Sequence, residues 1–250
     1  MLEAFAEALR LEGLWFVATG ALIAGIVRGF AGFGTAMIYL PVAGQVLGPF
    51  EAITTLIVMD IIAPMIHVPR ALKDGHPGDV WRLTFGALIA MPVGVFVLSL
   101  VAPEVFRWSV SLVALGLLVL LMTGIRYRGT LTKPIIYGTG GAGGFFAGAV
   151  GMPGPPVILM YMVSTLPPAA IRANNTLYLI TADILLVALF YWNERLVFTA
   201  VVIGLLVMLP YLLGNWLGAK LFQPEAAHLY RRIAYVIIAA SAIMGLPIWD

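Results

Sequence analysis

The sequence predicts an all-α integral membrane protein of two inverted structural repeats, each a glycine-broken helix pair (re-entrant or short) followed by three transmembrane helices. Three observations support this fold class: a strongly apolar composition, two apolar stretches interrupted by glycine and proline, and the recurrence of those interruptions at a fixed spacing. Of 250 residues, 62% are hydrophobic and 10% are charged. A soluble domain carries about 25% charged residues, and only lipid accommodates so large an apolar excess.

Charge and cysteine content exclude several classes of function. The net charge of +2 creates no basic surface for nucleic acid. The chain has no cysteine, which excludes disulfides, thiolate metal sites and a cysteine nucleophile. His67, His76 and His228 are scattered without metal-ligand spacing, and the serines lack a convincing His/Asp partner pattern. We therefore expect no metal site, no cofactor and no enzymatic activity.

Apolar stretches of about 20 residues, the length that crosses the hydrocarbon core, predict the membrane spans. The spans predicted in this way are 51–69, 82–101, 105–123, 169–192, 197–219 and 230–248. Residues 1–12 place several apolar side chains on one helical face and predict a short interfacial helix.

Two further apolar stretches are too long for one span and are interrupted. Residues 14–47 are broken at residues 29–34, and residues 135–165 are broken at residues 148–154. Each arm of about 13–16 residues is expected to reach only about 20–24 Å. These segments therefore predict broken helices or re-entrant hairpins, which in transporters are the best sequence indication of a binding site.

The two interruptions belong to a longer internal repeat. Matched landmarks recur in the same order at offsets of 119 or 118 residues. The pairs are Gly29 with Gly148, Gly32 with Gly151, Pro49 with Pro168, Gly86 with Gly204, and Pro92 with Pro210. We therefore predict a first membrane repeat over residues 13–128 and a second over residues 129–250, together forming one transport domain.

Basic loop residues favour inverted over parallel repeats, because cytoplasmic loops carry an excess of Lys and Arg. If each broken segment crosses the membrane once, the basic residues divide 8 against 5 between the two sides. If each segment enters and returns, they divide 10 against 3, the smaller set being Arg10, Arg107 and Arg195. The sharper division predicts inverted repeats, and it leaves open whether the broken segments are re-entrant or cross as two short helices.

The breaks predict a site for a small anion. Glycine lets the backbone approach a ligand closely, and the arm that starts near Thr35 directs free N–H groups and a positive dipole end into the first break. The second break ends in prolines that suit a helix start. If the repeats are inverted, two such helix ends approach the midplane from opposite sides. The alternative for the glycines is close packing between membrane helices. The substrate-binding candidates here are Gly29, Gly32, Phe33, Gly34, Thr35, Gly148, Gly151, Met152, Pro153 and Gly154.

Ionisable residues inside the apolar segments are further candidates, because a charge in the bilayer costs at least about 2.5–3.5 kcal/mol. We expect Arg28 to contact an anionic substrate; the alternatives are snorkelling to headgroups or a structural pair with Asp60 or Asp183. Arg172 and Asn175 are also substrate-binding candidates. Asp60 and Asp183 are candidates for carrying a coupling proton, and structural pairing is the alternative for both.

The sequence around both breaks, residues 29–41 (GFAGFGTAMIYLP) and residues 148–156 (GAVGMPGPP), resembles the TauE/SafE family, the sulfite exporters of bacterial membranes. The resemblance covers roughly residues 13–248. It implies a multi-pass secondary transporter of the bacterial inner membrane that exports sulfite or an organosulfonate such as sulfoacetate, with proton coupling suspected. One departure, Met152-Pro153-Gly154 where many relatives are more purely glycine-rich, implies an asymmetric site.

Two other classes of function stay open at this stage: a passive anion channel or facilitator, and a non-transport membrane assembly protein. The expected partners are a small anionic substrate and the lipid bilayer, without nucleic acid. A homodimer is left open.

Overall fold

All regular structure in the described part of the chain is helical. The computed structural model describes residues 2–65, 67–123, 131–161, 164 and 166–248, and the helices in these ranges confirm the predicted all-α class. The repeat boundary predicted between residues 128 and 129 lies outside them. In chain order the helices are α1 (Leu2–Leu9), α2 (Leu14–Ala31), α3 (Thr35–Ala43), α4 (Pro49–Asp60), α5 (Ile62–Met65), α6 (Val68–Asp74), α7 (Pro77–Leu100), α8 (Pro103–Thr123), α9 (Lys133–Val150), α10 (Gly154–Tyr161), α11 (Pro168–Trp192), α12 (Phe198–Leu221) and α13 (Ala227–Met244).

Five of these helices, α2, α7, α8, α11 and α12, are long and apolar enough to cross a membrane. Four correspond to predicted spans, whereas α2 was expected to be an arm too short to cross. It reaches 18 residues because the helix continues to Ala31 before it ends. The predicted span 230–248 corresponds to α13, which is not among the five because Arg231 and Arg232 reduce its apolar character.

The predicted span 51–69 is not one straight helix, because the helix breaks after Asp60, although the helices on either side of the bend are together long and apolar enough for a broken span. The segment continues as α5 and then α6, and α6 is bent by 67° from the helices before it. Pro64 explains the break: it has no N–H to donate to the carbonyl of Asp60, and its ring would collide with that carbonyl. Asp60 is therefore the last residue of α4 rather than a residue in the middle of a span.

Both predicted glycine breaks are present, at equivalent positions. Helices α2 and α9 each contain 18 residues and end at a glycine in the left-handed region, Gly32 with φ 78° and Gly151 with φ 70°. Glycine takes this conformation without a Cβ penalty and commonly ends helices in this way. The chain then restarts as α3 after the first break and as α10 after the second.

The helix contacts divide the chain into two compact units, each of which combines helices from both predicted repeats. The first unit comprises Met1–Asp60, Ala102–Met122 and Arg195–Asp250, and the second comprises Ile61–Val101 and Thr123–Glu194. In the first unit α2 packs along α12, and in the second α9 packs along α7. The two repeats therefore exchange equivalent helices, while their inverted orientation stays a prediction.

Glycines let the two helices within each pair approach closely, and their positions show which residues of the two pairs are equivalent. A Cβ on Gly25 of α2 would overlap the backbone of α12 at Tyr211, and a Cβ on Gly144 of α9 would overlap the backbone of α7 at Ala87. The two glycines lie 119 positions apart, but their partners lie 124 apart. The pair Gly94 and Gly218, each packed on the opposing broken helix, repeats the offset of 124.

This register corrects the alignment that the sequence predicted for the later helices. Gly86 and Gly204, matched at 118, occupy different surroundings: Gly86 packs on the backbone of α9, whereas Gly204 packs on Val58 of α4. The match of Pro92 with Pro210 shares that offset and is likewise out of register. The glycine contacts of the two helix pairs thus match at an offset of 124, and two of the landmarks that suggested the repeat are not equivalent in their packing.

One charge used to predict the orientation is not a loop charge. Arg107 lies on α8, is buried, and donates from Nε to the carbonyl oxygen of Gly245 at 3.3 Å, just beyond the end of α13. A cation at this position complements the negative end of a helix dipole. Arg107 therefore carries no information about which side of the membrane its loop occupies.

The close approach of α2 to α12 leads to a stability prediction. Gly25→Ala should lower the free energy of unfolding by about 1–3 kcal/mol, since the added methyl overlaps backbone that cannot move aside. Gly116→Ala on α8 is the matched control, because nothing lies within 4 Å of its Cβ position, and should leave stability unchanged or slightly raised. Unfolding in detergent measures both, and equal effects would contradict the proposed packing.

Candidate functional site

The first break has a helix start that no side chain caps. The N–H of Gly32 donates to the carbonyl oxygen of Arg28 at 2.8 Å, which closes α2. Gly34, with φ 101°, then turns the chain into α3, which begins at Thr35. Within the described residues no side chain caps this helix start, so its leading N–H groups and positive dipole end are available to an anion.

Four polar residues form a connected group at this break, which we call the first-break cluster: Arg28, Thr35, Asp60 and Tyr211. Arg28 Nη1 lies 3.7 Å from Asp60 Oδ2, and the two side chains are 22% and 18% exposed. The Tyr211 hydroxyl donates to Asp60 Oδ1, and it lies 3.4 Å from Thr35 Oγ1. The cluster therefore joins the end of α2, the start of α3, the end of α4 and the middle of α12.

Electrostatics explains why Asp60 has two partners. A carboxylate at the last residue of a helix faces the negative end of the dipole, where a negative charge is unfavourable. The guanidinium of Arg28 and the hydroxyl of Tyr211 offset that cost and the cost of partial burial. The structural pair of Arg28 with Asp60, one alternative in the sequence analysis, is thus present, and it leaves the role of Arg28 in substrate binding as a prediction.

A buried hydroxyl pair holds the two helices that carry Thr35 and Asp60. Tyr39 of α3 donates to Thr55 Oγ1 of α4 at 2.9 Å, and Thr55 donates to the Ala52 carbonyl oxygen at 2.9 Å. Both side chains are fully buried. This contact fixes α3 against α4 and therefore positions the first-break cluster.

Sequence analysis missed Tyr211, although a signal was present. Tyrosines in membrane helices favour the interface, where the hydroxyl reaches water, but Tyr211 lies in the middle of α12 and is fully buried. A tyrosine hydroxyl buried in an apolar span needs a hydrogen-bond partner, which makes such a residue a candidate for a polar site.

The second break has the same backbone turn but different chemistry. Gly151 donates to the Ala147 carbonyl oxygen at 2.9 Å, and Met152 donates to the Phe146 carbonyl oxygen at 3.2 Å. Gly151, Met152 and Pro153 are buried. α10 then begins Gly154-Pro-Pro, and proline has no N–H. The prolines suit a helix start, as expected, but they remove two of the leading donors that an anion would use.

Two of the predicted binding glycines serve helix packing. A Cβ on Gly29 would overlap the backbone of α12 at Asn215, and a Cβ on Gly148 would overlap the backbone of α7 at Met91. Close packing of small residues is common between membrane helices. Gly32, by contrast, has nothing within 4 Å of its Cβ position and lies open at the break.

The remaining candidates are not members of the first-break cluster. Phe33 lies in the first break itself and is half-buried, with its ring centroid 6.5 Å from that of Tyr235. On α11 of the second unit, Arg172 is exposed, and Asn175 and Asp183 are half-buried. The structure therefore groups Arg28, Thr35 and Asp60, and places Asp183 in the other unit.

Asn174, the neighbour of Asn175, has a structural role. Its amide nitrogen donates to the Tyr161 hydroxyl at 2.9 Å, and its amide oxygen accepts from the backbone N–H of His76 at 2.7 Å. The side chain is fully buried, so it fixes α10 and the start of α7 to α11. No group of three or more His, Cys, Asp or Glu side chains in the described ranges could hold a metal ion.

Comparison with known proteins places the chain in one family. The family model described as "Sulfite exporter TauE/SafE" matches residues 17–245, nearly the whole chain. The matched range contains both breaks and all four residues of the first-break cluster. No curated protein and no solved structure matches the chain.

The pair of Arg28 with Asp60 can be tested by a double-mutant cycle. The variants Arg28→Gln, Asp60→Asn and the double variant should give a coupling energy of about 0.5–3 kcal/mol, since both charges are largely removed from water. The control pair is Arg70 and Asp74, 3.3 Å apart but 86% and 37% exposed, for which about 0.3–0.5 kcal/mol is expected. A coupling at Arg28 and Asp60 no larger than the control would contradict the cluster.

Proposed function

Because the chain belongs to the sulfite exporter TauE/SafE family, we propose that it exports a small sulfur-containing anion across the bacterial inner membrane by secondary transport. Sulfite and organosulfonates such as sulfoacetate are the candidate substrates. The family consists of multi-pass membrane transporters rather than enzymes, and five apolar helices of this chain are long enough to cross a membrane. A homodimer stays an open prediction.

The first-break cluster is the observation that carries this proposal. Through Asp60 and Tyr211 it connects a guanidinium to Thr35, which begins a helix that no described side chain caps. Arginine presents several N–H donors in a planar fork that matches the oxygens of an oxyanion, and the N–H groups at a helix start supply further donors. A sulfite or sulfonate group carries three oxygens and can accept from both sources at once.

Asp60 links anion binding to a proton. With no anion bound, the carboxylate of Asp60 holds Arg28 and would repel an arriving anion. When Asp60 takes up a proton, its attraction for the guanidinium weakens, and Arg28 can form a charge-assisted contact with the anion. For an anion that carries a single negative charge, such as hydrogensulfite, the negative charge moves from the carboxylate to the substrate, so the net charge of the cluster stays the same. This matters in lipid, where an added net charge is costly.

Tyr211 and Thr35 supply further hydrogen-bond donors when the anion replaces the carboxylate of Asp60 as the partner of Arg28. The Tyr211 hydroxyl donates to the carboxylate of Asp60 in the structure described here, and it is free to donate to a substrate oxygen once Asp60 is neutral. Thr35 Oγ1, close to that hydroxyl, offers a further donor at the start of α3. Between transport cycles the carboxylate of Asp60 thus makes the contacts with Arg28 and Tyr211 that the bound anion makes during transport.

Flux in proteoliposomes tests the substrate and the role of Arg28. Sulfite, sulfoacetate, taurine and sulfate are compared with and without an imposed pH gradient, for wild type, Arg28→Gln and the control Arg70→Gln. We expect flux of at least one sulfur anion that falls at least about 10-fold in Arg28→Gln, since a charge-assisted hydrogen bond contributes about 1.5–3 kcal/mol. Arg70→Gln should transport normally. Folded wild-type protein that moves none of these anions would contradict the proposal.

Flux under an imposed pH gradient tests the coupling role of Asp60. Wild-type flux of the anion should respond to the gradient, because in the proposed exchange a proton moves together with each anion. Asp60→Asn has a neutral side chain that cannot carry the proton, so its flux should lose the dependence on the pH gradient. Asp74→Asn is the matched control. If flux is the same with and without the pH gradient and is unchanged in Asp60→Asn, the result would instead indicate a passive channel.

A further inference from the structure

The hydroxyl of Tyr178 on α11 is buried and has no hydrogen-bond partner among the described residues. A hydroxyl removed from water without a partner costs free energy, and natural proteins leave few such groups. Replacing this tyrosine by phenylalanine would remove the cost and keep the ring. The retained hydroxyl therefore requires an explanation that the apolar packing of α11 does not supply.

This hydroxyl lies beside the second break. A Cβ on Gly143 of α9 would overlap the Tyr178 hydroxyl, and the same Cβ would lie 2.9 Å from the carbonyl oxygen of Pro153. Pro153 is the last residue before α10. The hydroxyl and the end of the break thus share the space that the missing side chain of Gly143 leaves open.

The internal repeat shows that this space is specific to the second repeat. At the offset of 119 that relates α9 to α2, Gly143 corresponds to Ala24, and at the same offset Tyr178 corresponds to Met59. The first repeat thus has a methyl group and an apolar side chain where the second has a hydrogen and a hydroxyl. The two differences together create room for the hydroxyl, which indicates that it serves a purpose in the second repeat.

The second break also lacks donors that the first break has. Proline at positions 155 and 156 removes two of the leading N–H groups of α10. In the first break a tyrosine hydroxyl, that of Tyr211, is already engaged by Asp60 and lies close to Thr35. Beside the second break the Tyr178 hydroxyl has no such partner among the described residues.

We propose that Tyr178 is a ligand-binding residue, whose hydroxyl donates a hydrogen bond to an oxygen of the transported anion at the second break. This inference rests on the proposed function, since it assigns a second contact for the same substrate class. Gly143 is its positioning partner, because only glycine leaves space for the hydroxyl there. Residues 151–153 are buried, so the anion reaches the hydroxyl in a conformation in which the break opens, as alternating access requires.

Tyr178→Phe tests the proposal, with Tyr161→Phe as the matched control. Both tyrosines are buried, but the Tyr161 hydroxyl accepts from Asn174 at 2.9 Å. Purified variants are compared in two assays: thermal unfolding in detergent without ligand, and sulfite and sulfoacetate flux in proteoliposomes. Wild type and protein-free liposomes accompany every flux measurement.

We expect Tyr178→Phe to unfold at the wild-type temperature or above it, since it loses an unpaired hydroxyl, while its KM for the anion rises about 10-fold or more. Tyr161→Phe should behave in the opposite way, with a lower unfolding temperature and an unchanged KM. Tyr178→Phe with an unchanged KM, whatever its stability, would overturn the inference and leave the proposed function standing. Wild-type protein without anion flux would overturn the proposed function and this inference together.

Discussion

The fold depends on backbone-to-backbone contact between a broken helix of one repeat and a long helix of the other. In the first unit α2 meets α12 at Gly25 and Gly29, and in the second unit α9 meets α7 at Gly144 and Gly148. Lipid tails are as apolar as the helix surfaces, so burial of apolar area alone cannot drive this association. Close approach through glycine gains dispersion contacts instead, and it orients the end of each broken helix.

The polar chemistry follows from where these helices end. Gly32 stops α2 one turn after Arg28, and Pro64 stops α4 at Asp60. Tyr211 lies on α12 at the close contact with Gly25, so the packing that holds the broken helix also delivers a hydroxyl to the break. A guanidinium, a carboxylate and two hydroxyls thereby meet in an apolar protein, where each requires the others as partners.

The repeats share a scaffold and differ in chemistry. Both breaks use a left-handed glycine and a restarted helix. The first break carries the ion pair of Arg28 with Asp60, and the second begins its new helix with two prolines. The equivalents of Arg28 and Asp60 at the offset of 119 are Ala147 and Leu179, both apolar. The two breaks therefore share a backbone turn and differ in the polar groups that lie beside it.

Composition and periodicity determined the helical membrane class, most helix bounds and both breaks, because apolar length and glycine or proline interruptions act locally along the chain. The family also followed from the break sequences. Tertiary structure decided the packing role of Gly29 and Gly148, and it replaced the sequence offset of 118 for the later helices with a packing offset of 124. It also decided the meeting of Asp60 with Tyr211, 151 positions apart. Such contacts depend on which helix faces lie against each other, and hydropathy does not encode that choice.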